Sequence, residues 1–282
     1  MKRKKRSGWA GILFLLPSLA GVSIFVLVPF LDVIRRSFTA AVTGAWVGLA
    51  NYRTVFANTA FRLAASNTVR FTLACLPLLI VISLALAVLL QSLTFGKNLM
   101  KSVYLMPMAV PAASVVLVWK VLFHSRGLLN GLLQKLGFEG IGWMSTDYAF
   151  VVLVISYLWK NLGYDMILWM AGLAGIPVEI YEAARVDGAG EWSCFLRITL
   201  PNLKSSLYTI TVLSFLNSFK AFREAWLVAG DYPHQSMYLL QHLYSNWFRD
   251  MSFDKISAAA VVTALIVFVL IMLLQKAWDG AE

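Results

Sequence analysis

His124, His234 and His242 stand far apart and outside any HExxH pattern, no serine sits in a GxSxG elbow, and no GxxxxGK[ST] loop is present. The sequence therefore offers no paired metal ligands on one helical face, no activated nucleophile and no phosphate cradle of the kind that binds and hydrolyses ATP. What it offers is recognition. Tyr157, Lys160, Asn161 and Tyr164 follow i, i+3, i+4, i+7 and share one helical face. Ser214, Asn217, Ser218, Ala221 and Glu224 share another, with Lys220 at its edge. Both sets lie in apolar runs, where an ionised side chain costs about 2.5–3.5 kcal/mol at the bilayer centre. Such groups either line an aqueous cavity or pair within a bundle, Lys220 with Glu224 and Lys160 with Asp165 or a neighbouring helix.

The elements that position them are membrane helices. Of 282 residues 60% are hydrophobic and only 13% charged, against about 25% charged in soluble domains. The pattern predicts an all-α polytopic membrane protein with spans over 9–31, 68–90, 103–123, 150–173, 207–228 and 257–274, and no separate soluble domain, so that 1–282 form one transmembrane domain. The basic start MKRKKR followed by an apolar run also fits a signal peptide, but the run exceeds a usual h-region and no A-x-A site follows. Lys and Arg favour a cytoplasmic N-terminus, with eleven inside, including the first five, and eight outside, Arg126 and Lys135 among them. Both termini are then cytoplasmic. The net charge of +10 suits anionic lipid and gives no reason to invoke nucleic acid. Cys75 and Cys194 fall in segments that imply no disulfide framework.

Residues 175–206 are too polar to span and too patterned for a linker. Pro177 suits a helix start, with Glu179 and Glu182 toward its N-terminus. The glycines of Asp187–Gly190 break that helix, and a second short helix over 191–199 should stop before Pro201. The result is an amphipathic hairpin, lying on the lipid surface or serving as a docking element for a cytoplasmic partner.

EAARVDGAGEWSCFLRITLP within this loop resembles the cytoplasmic signature of bacterial ABC importer permeases, with Glu182, Ala183, Ala184, Gly188, Ile198, Leu200 and Pro201 in register. The blocks FLLPSLAGVSIFVLVPFLDVIRRSF, VGLANYRTVF, SNTVRFT, LMPMAVPAASVVLVWKVLF and GLLN resemble the larger permease of maltose-type carbohydrate importers, so the likeness covers nearly the whole chain. It implies a type I importer permease fold in the bacterial inner membrane, whose hairpin carries the closing motion of a separate ATPase into the membrane. The implied partners are a second homologous permease, two ATPase subunits that bind ATP and Mg2+, and an extracytoplasmic solute-binding protein. It also places Tyr157, Lys160, Asn161, Tyr164, Ser214 and Ser218 at sugar-contact positions; Asn217 shares the second face. Rings stack on sugar faces and amides and hydroxyls meet sugar hydroxyls, so these residue types suit an oligosaccharide. Lys160 departs from the apolar family residue and, with Lys220 and Arg223, leaves neutral and acidic saccharides both open. A secondary transporter using Lys160, Asp165, Lys220 and Glu224 as an ion or proton relay is the alternative from the residues alone.

Overall fold

Helices carry almost the whole chain in a computed structural model that describes residues 7–219, 226 and 230–279, with side chains from Phe14 onward except Ala112 and Asp279. Four helices among the described residues are long and apolar enough to cross a membrane: Phe14–Ser37, Thr59–Ser92, Tyr148–Ala174 and Phe253–Trp278. The first of these buries none of its apolar window within the chain. Such a surface requires lipid or a partner helix.

The chain divides into two units, residues 1–61 with 244–270 and residues 62–243 with 271–282. In the first, α1 (Ser7–Val22) runs through a π-helical turn, Ser23–Leu27, into α2 (Val28–Ser37), and a short loop leads to α3 (Ala50–Ala57). The loop is pinned by Asn51, whose amide donates to the carbonyls of Ser37 and Thr39 at 3.0 and 2.9 Å, and by Phe38 stacked on Trp46. Asp32 pairs with Arg35 and Arg36 at 2.9 and 2.6 Å, so charges predicted to begin an outer loop neutralise one another within the last turns of a helix.

The second unit holds the polar faces. It comprises α4 (Thr59–Ser92, from Arg62), α5 (Lys97–Ala109), α6 (Ala112–Phe123), α7 (Leu128–Lys135), α8 (Tyr148–Ala174), α9 (Val178–Val186), α10 (Glu191–Cys194), α11 (Leu200–Asn202) and α12 (Lys204–Ser218). Later in the chain come α13 (Leu240–Arg249) and α14 (Phe253–Asp279). Helix α8 is central. Gly163 lets α5 approach so closely that a Cβ there would lie 1.9 Å from the Tyr104 carbonyl oxygen, and Gly172 admits Ser206 of α12 in the same way. Small residues are how membrane helices reach this proximity. On its other sides α8 buries Trp169, whose indole donates to Ser83 Oγ of α4 at 3.0 Å, and packs Tyr157 edge-on against Phe71. Cys75 and Cys194 are buried free thiols.

Two expectations are corrected. The span over 103–123 is not one straight helix: Val110 is extended (φ −73°, ψ 129°), and Lys97–Ala109 and Ala113–Lys135 are bent by 96°. Pro111 is the cause, since its ring disfavours α geometry at the preceding residue and it has no N–H to give. Counting this bent pair as a span brings the number from four to five. The predicted 207–228 span coincides with α12 as far as Ser218, while Lys220, Ala221, Arg223 and Glu224 lie outside the described residues. The second correction concerns Pro201. The helix after Gly190 does not stop before it but continues through a π-helical turn, Phe195–Thr199, into α11. A π turn widens the backbone and accommodates a proline that would otherwise break the ladder.

Candidate functional site

The hairpin is assembled from local signals. Pro177, with φ −59°, precedes α9, where its missing N–H belongs to the groups left unpaired anyway, and Glu179 occupies the first turn. The helix ends in paired closing bonds, from Gly188 N to Arg185 O at 3.1 Å and from Ala189 N to Ala184 O at 2.9 Å, with Gly188 at φ +83°. That left-handed conformation explains the glycine. A Cβ on Gly188 would meet nothing within 4 Å in this chain, so a bulky replacement strains the backbone and produces no intramolecular clash.

Two ties close the hairpin that residue spacing does not reveal. Arg185 donates to both carboxylate oxygens of Glu191 across the turn, at 2.9 and 3.3 Å, and this hydrogen bonding holds the Glu191 carboxyl below its usual range. Tyr181 OH meets Thr199 Oγ1 at 2.9 Å, fastening α9 to the π turn. Glu182 and Ala183 are exposed, Ala184 and Ile198 half-buried, and Leu200 and Pro201 exposed. Beside them Val186 and Trp192 stand 88% and 71% exposed. The hairpin thus presents a carboxylate, small residues and uncovered apolar side chains together at one tip. Between it and the C-terminal half of α4 lies a groove of about 950 Å³, lined by Leu84, Val88, Tyr181, Trp192 and Phe195 among others.

The faces on α8 and α12 meet in a polar seam. Tyr157 is buried and donates to the Ser214 carbonyl at 3.0 Å; Ser214 Oγ donates to the buried Asp165 carboxylate at 2.6 Å. Ser218 Oγ and Thr72 Oγ1 of α4 lie 3.3 Å apart. Asn161 donates back to the Tyr157 carbonyl at 2.8 Å, and Lys160, Asn161, Tyr164 and Asn217 are half-buried. The structure thus joins Tyr157 with Ser214, and Ser218 with Thr72. It gives Asp165 a hydroxyl donor, Ser214, and adds Thr72 to the set. The only prior sign of Thr72 was a hydroxyl inside an apolar span. Lys220 and Glu224 lie outside the described residues. Among the described residues no three His, Cys, Asp or Glu side chains gather as a metal site would need.

The family profile described as binding-protein-dependent transport system inner membrane component matches residues 79–279. The trehalose/maltose transport system permease protein MalF of Thermococcus litoralis is 29% identical over 272 residues, covering 94% of this chain and 92% of its own. The arabinooligosaccharides transport system permease protein AraP of Bacillus subtilis is 30% identical over 98% of this chain and 93% of its own. The sulfoquinovosyl glycerol transport system permease protein SmoG of Agrobacterium fabrum is 33% identical over 89% of this chain and 84% of its own. In fold the chain matches a chain from a crystal structure of a bacterial ABC transporter involved in import of the acidic polysaccharide alginate, with TM-score 0.86, 21% identity and 96% of each chain covered.

Proposed function

This chain belongs to the family of binding-protein-dependent transport system inner membrane components, as a permease of the carbohydrate ABC importers, and on that premise we propose that it passes an oligosaccharide along α8 and α12 while residues 175–206 receive the stroke of a separate ATPase. Such a subunit does not hydrolyse ATP; the nucleotide and its Mg2+ belong to partner subunits. Family membership replaces the ion-relay alternative, because the energy then comes from those partners.

The observation that carries the reading is the hairpin tip. Gly188 closes α9 in left-handed geometry, and the Arg185–Glu191 and Tyr181–Thr199 ties couple it to the helix that continues into α12. A push on Glu182, Ala183 and Ala184 is therefore passed to Ile198, Leu200 and Pro201 and on to the seam. In the conformation described, Tyr157, Ser214 and Ser218 make protein hydrogen bonds. Solute passage requires α8 and α12 to part, so that sugar hydroxyls take over these bonds and Tyr157 and Tyr164 offer stacking faces. Lys160, Asn161 and Asn217 complete the pathway.

The whole chain, 1–282, acts as one six-span permease domain of type I fold, with 207–228 as the fifth span and both termini cytoplasmic in a bacterial inner membrane. It works beside a second, homologous permease, with two ATPase subunits on the hairpin side and a solute-binding protein on the other. The sugar names of its relatives support an oligosaccharide or glycoside as cargo. Reconstitution tests this directly: uptake into proteoliposomes should require ATP, both ATPase subunits and the binding protein. Uptake driven by an ion gradient without ATP would overturn it.

A further inference from the structure

Helix α7 carries leucines on both faces, Leu129 and Leu133 half-buried toward the core and Leu128 and Leu132 exposed. Leu128, Gly131, Leu132 and Lys135 follow i, i+3, i+4, i+7 on the outward face, with Leu128 60% and Leu132 57% exposed, while Asn130 is 1% exposed. The Asn130 side chain accepts from Ile141 N and Trp143 Nε1 and donates to Ser125 O and Ile141 O, so its burial is satisfied and the orientation of the helix is fixed. A helix facing only water would not carry a second pair of leucines on its outward face.

The same outward face borders a cavity of about 660 Å³ that holds Lys120, His124, Arg126 and Lys135 together with Leu128 and Leu132. No carboxylate lines it, and among the described residues Lys120, Arg126 and Lys135 form no ion pair. Cations beside exposed leucines suit a ligand that is anionic at one end and aliphatic at the other. The cavity lies before the N-terminus of α8, whereas the hairpin follows its C-terminus, about 40 Å along a helix of 27 residues.

We propose that this cavity binds the phosphate of an anionic phospholipid in the leaflet remote from the hairpin, with the acyl chains lying against Leu128 and Leu132. Arg126 suits a bidentate contact to phosphate oxygens, and Lys120 and Lys135 act as point charges. Leucines on the outward face of a short amphipathic helix anchor it at the headgroup boundary. This site is separate from the polar seam, and its occupancy does not depend on what the seam carries.

The test is a titration of the assembled, detergent-solubilised complex with dioctanoyl phosphatidylglycerol, read by microscale thermophoresis. The triple variant Lys120→Ala, Arg126→Ala, Lys135→Ala should bind it about tenfold or more weakly. The double variant Lys120→Arg, Lys135→Arg, which keeps the charges and the Arg126 guanidinium, should stay within about twofold, as a surface attraction of this kind predicts. Inorganic phosphate and dioctanoyl phosphatidylcholine should bind far more weakly to the wild type. Equal lipid affinity in the wild type and the alanine variant would overturn the proposal, as would inorganic phosphate binding as tightly as the lipid. So would an alanine variant that keeps its lipid affinity but loses affinity for the solute-binding protein, since the cations would then serve protein docking. Transport is not measured, so failure here leaves the importer reading standing, and failure of that reading leaves this result standing.

Discussion

The hairpin and the seam solve opposite problems. The hairpin, residues 178–201, is largely exposed, and the turn at its tip is set by partners close in sequence: Gly188 closes on Arg185 and Arg185 reaches Glu191. The seam is buried, and its shape is set by partners far apart, Tyr157 on Ser214 and Thr72 beside Ser218. On the proposed function the hairpin is a lever, which must keep its form while it is pushed and is built from local bonds, and the seam is a gate, whose bonds join different helices and must be exchanged as it opens. Changes in the lever should therefore lower the maximal rate of transport, and changes in the gate should alter the apparent affinity for solute.

The largest effect is expected from Gly188→Val. A non-glycine residue in left-handed geometry costs about 1–2 kcal/mol, and a β-branched one more. In proteoliposomes with both ATPase subunits, maximal uptake and solute-stimulated ATP hydrolysis should fall together about tenfold. Gly188→Asn, which tolerates that geometry, should fall much less. Full solute-stimulated hydrolysis in Gly188→Val would remove the hairpin from coupling.

Tyr157→Phe deletes the donor to the Ser214 carbonyl and, on the proposed pathway, one hydroxyl for sugar, a loss of about 1 kcal/mol. The KM of uptake should rise about fivefold with the maximal rate little changed; a fall in maximal rate alone would erase the distinction between gate and lever. Lys160→Met is expected to weaken uptake about threefold, equally for a neutral oligosaccharide and its uronic-acid analogue, by altering the packing of a half-buried side chain. Loss confined to the acidic sugar would make Lys160 a charge-reading residue and the cargo acidic.

Glu191→Gln should have the smallest effect, below about twofold in uptake, because both partners of the pair are exposed. The difference should vanish in high salt. Glu191 has its folded-state pKa depressed below the ordinary 4.5. Its tie to Arg185 is therefore fully present above that pH and is lost as pH falls through the depressed value. Between pH 6 and 8 the wild type should show no pH dependence from this pair.

The sequence made the hairpin legible because its determinants are contiguous: Pro177 marks the start of α9, Gly188 its end, and the motif residues follow in register. It gave no sign of the Arg185–Glu191 bridge, which spans six residues around a turn and follows no helical spacing. On α8 and α12 the polar faces were visible as periodicity, but periodicity says which residues share a face and not which face meets which. Asp165 illustrates this: its side chain accepts from Ser214 across the helix interface. The break at Val110 was written in the sequence as Val-Pro, yet hydropathy averaged over the region reads as one span and hides a backbone effect of a single ring. Pro201 misled in the opposite direction, because a π turn absorbed it.

That π turn, Phe195–Thr199, also governs phase. It inserts one extra residue into the helical count, and each residue of an α-helix advances the side chains by about 100°. Excising a single residue there would keep Ser206 and Ser214 in the chain but turn them about 100° away from Gly172 and Asp165. For this stretch, length is a stricter requirement than composition: a substitution alters one contact, whereas a deletion turns the whole of α12 out of register with α8.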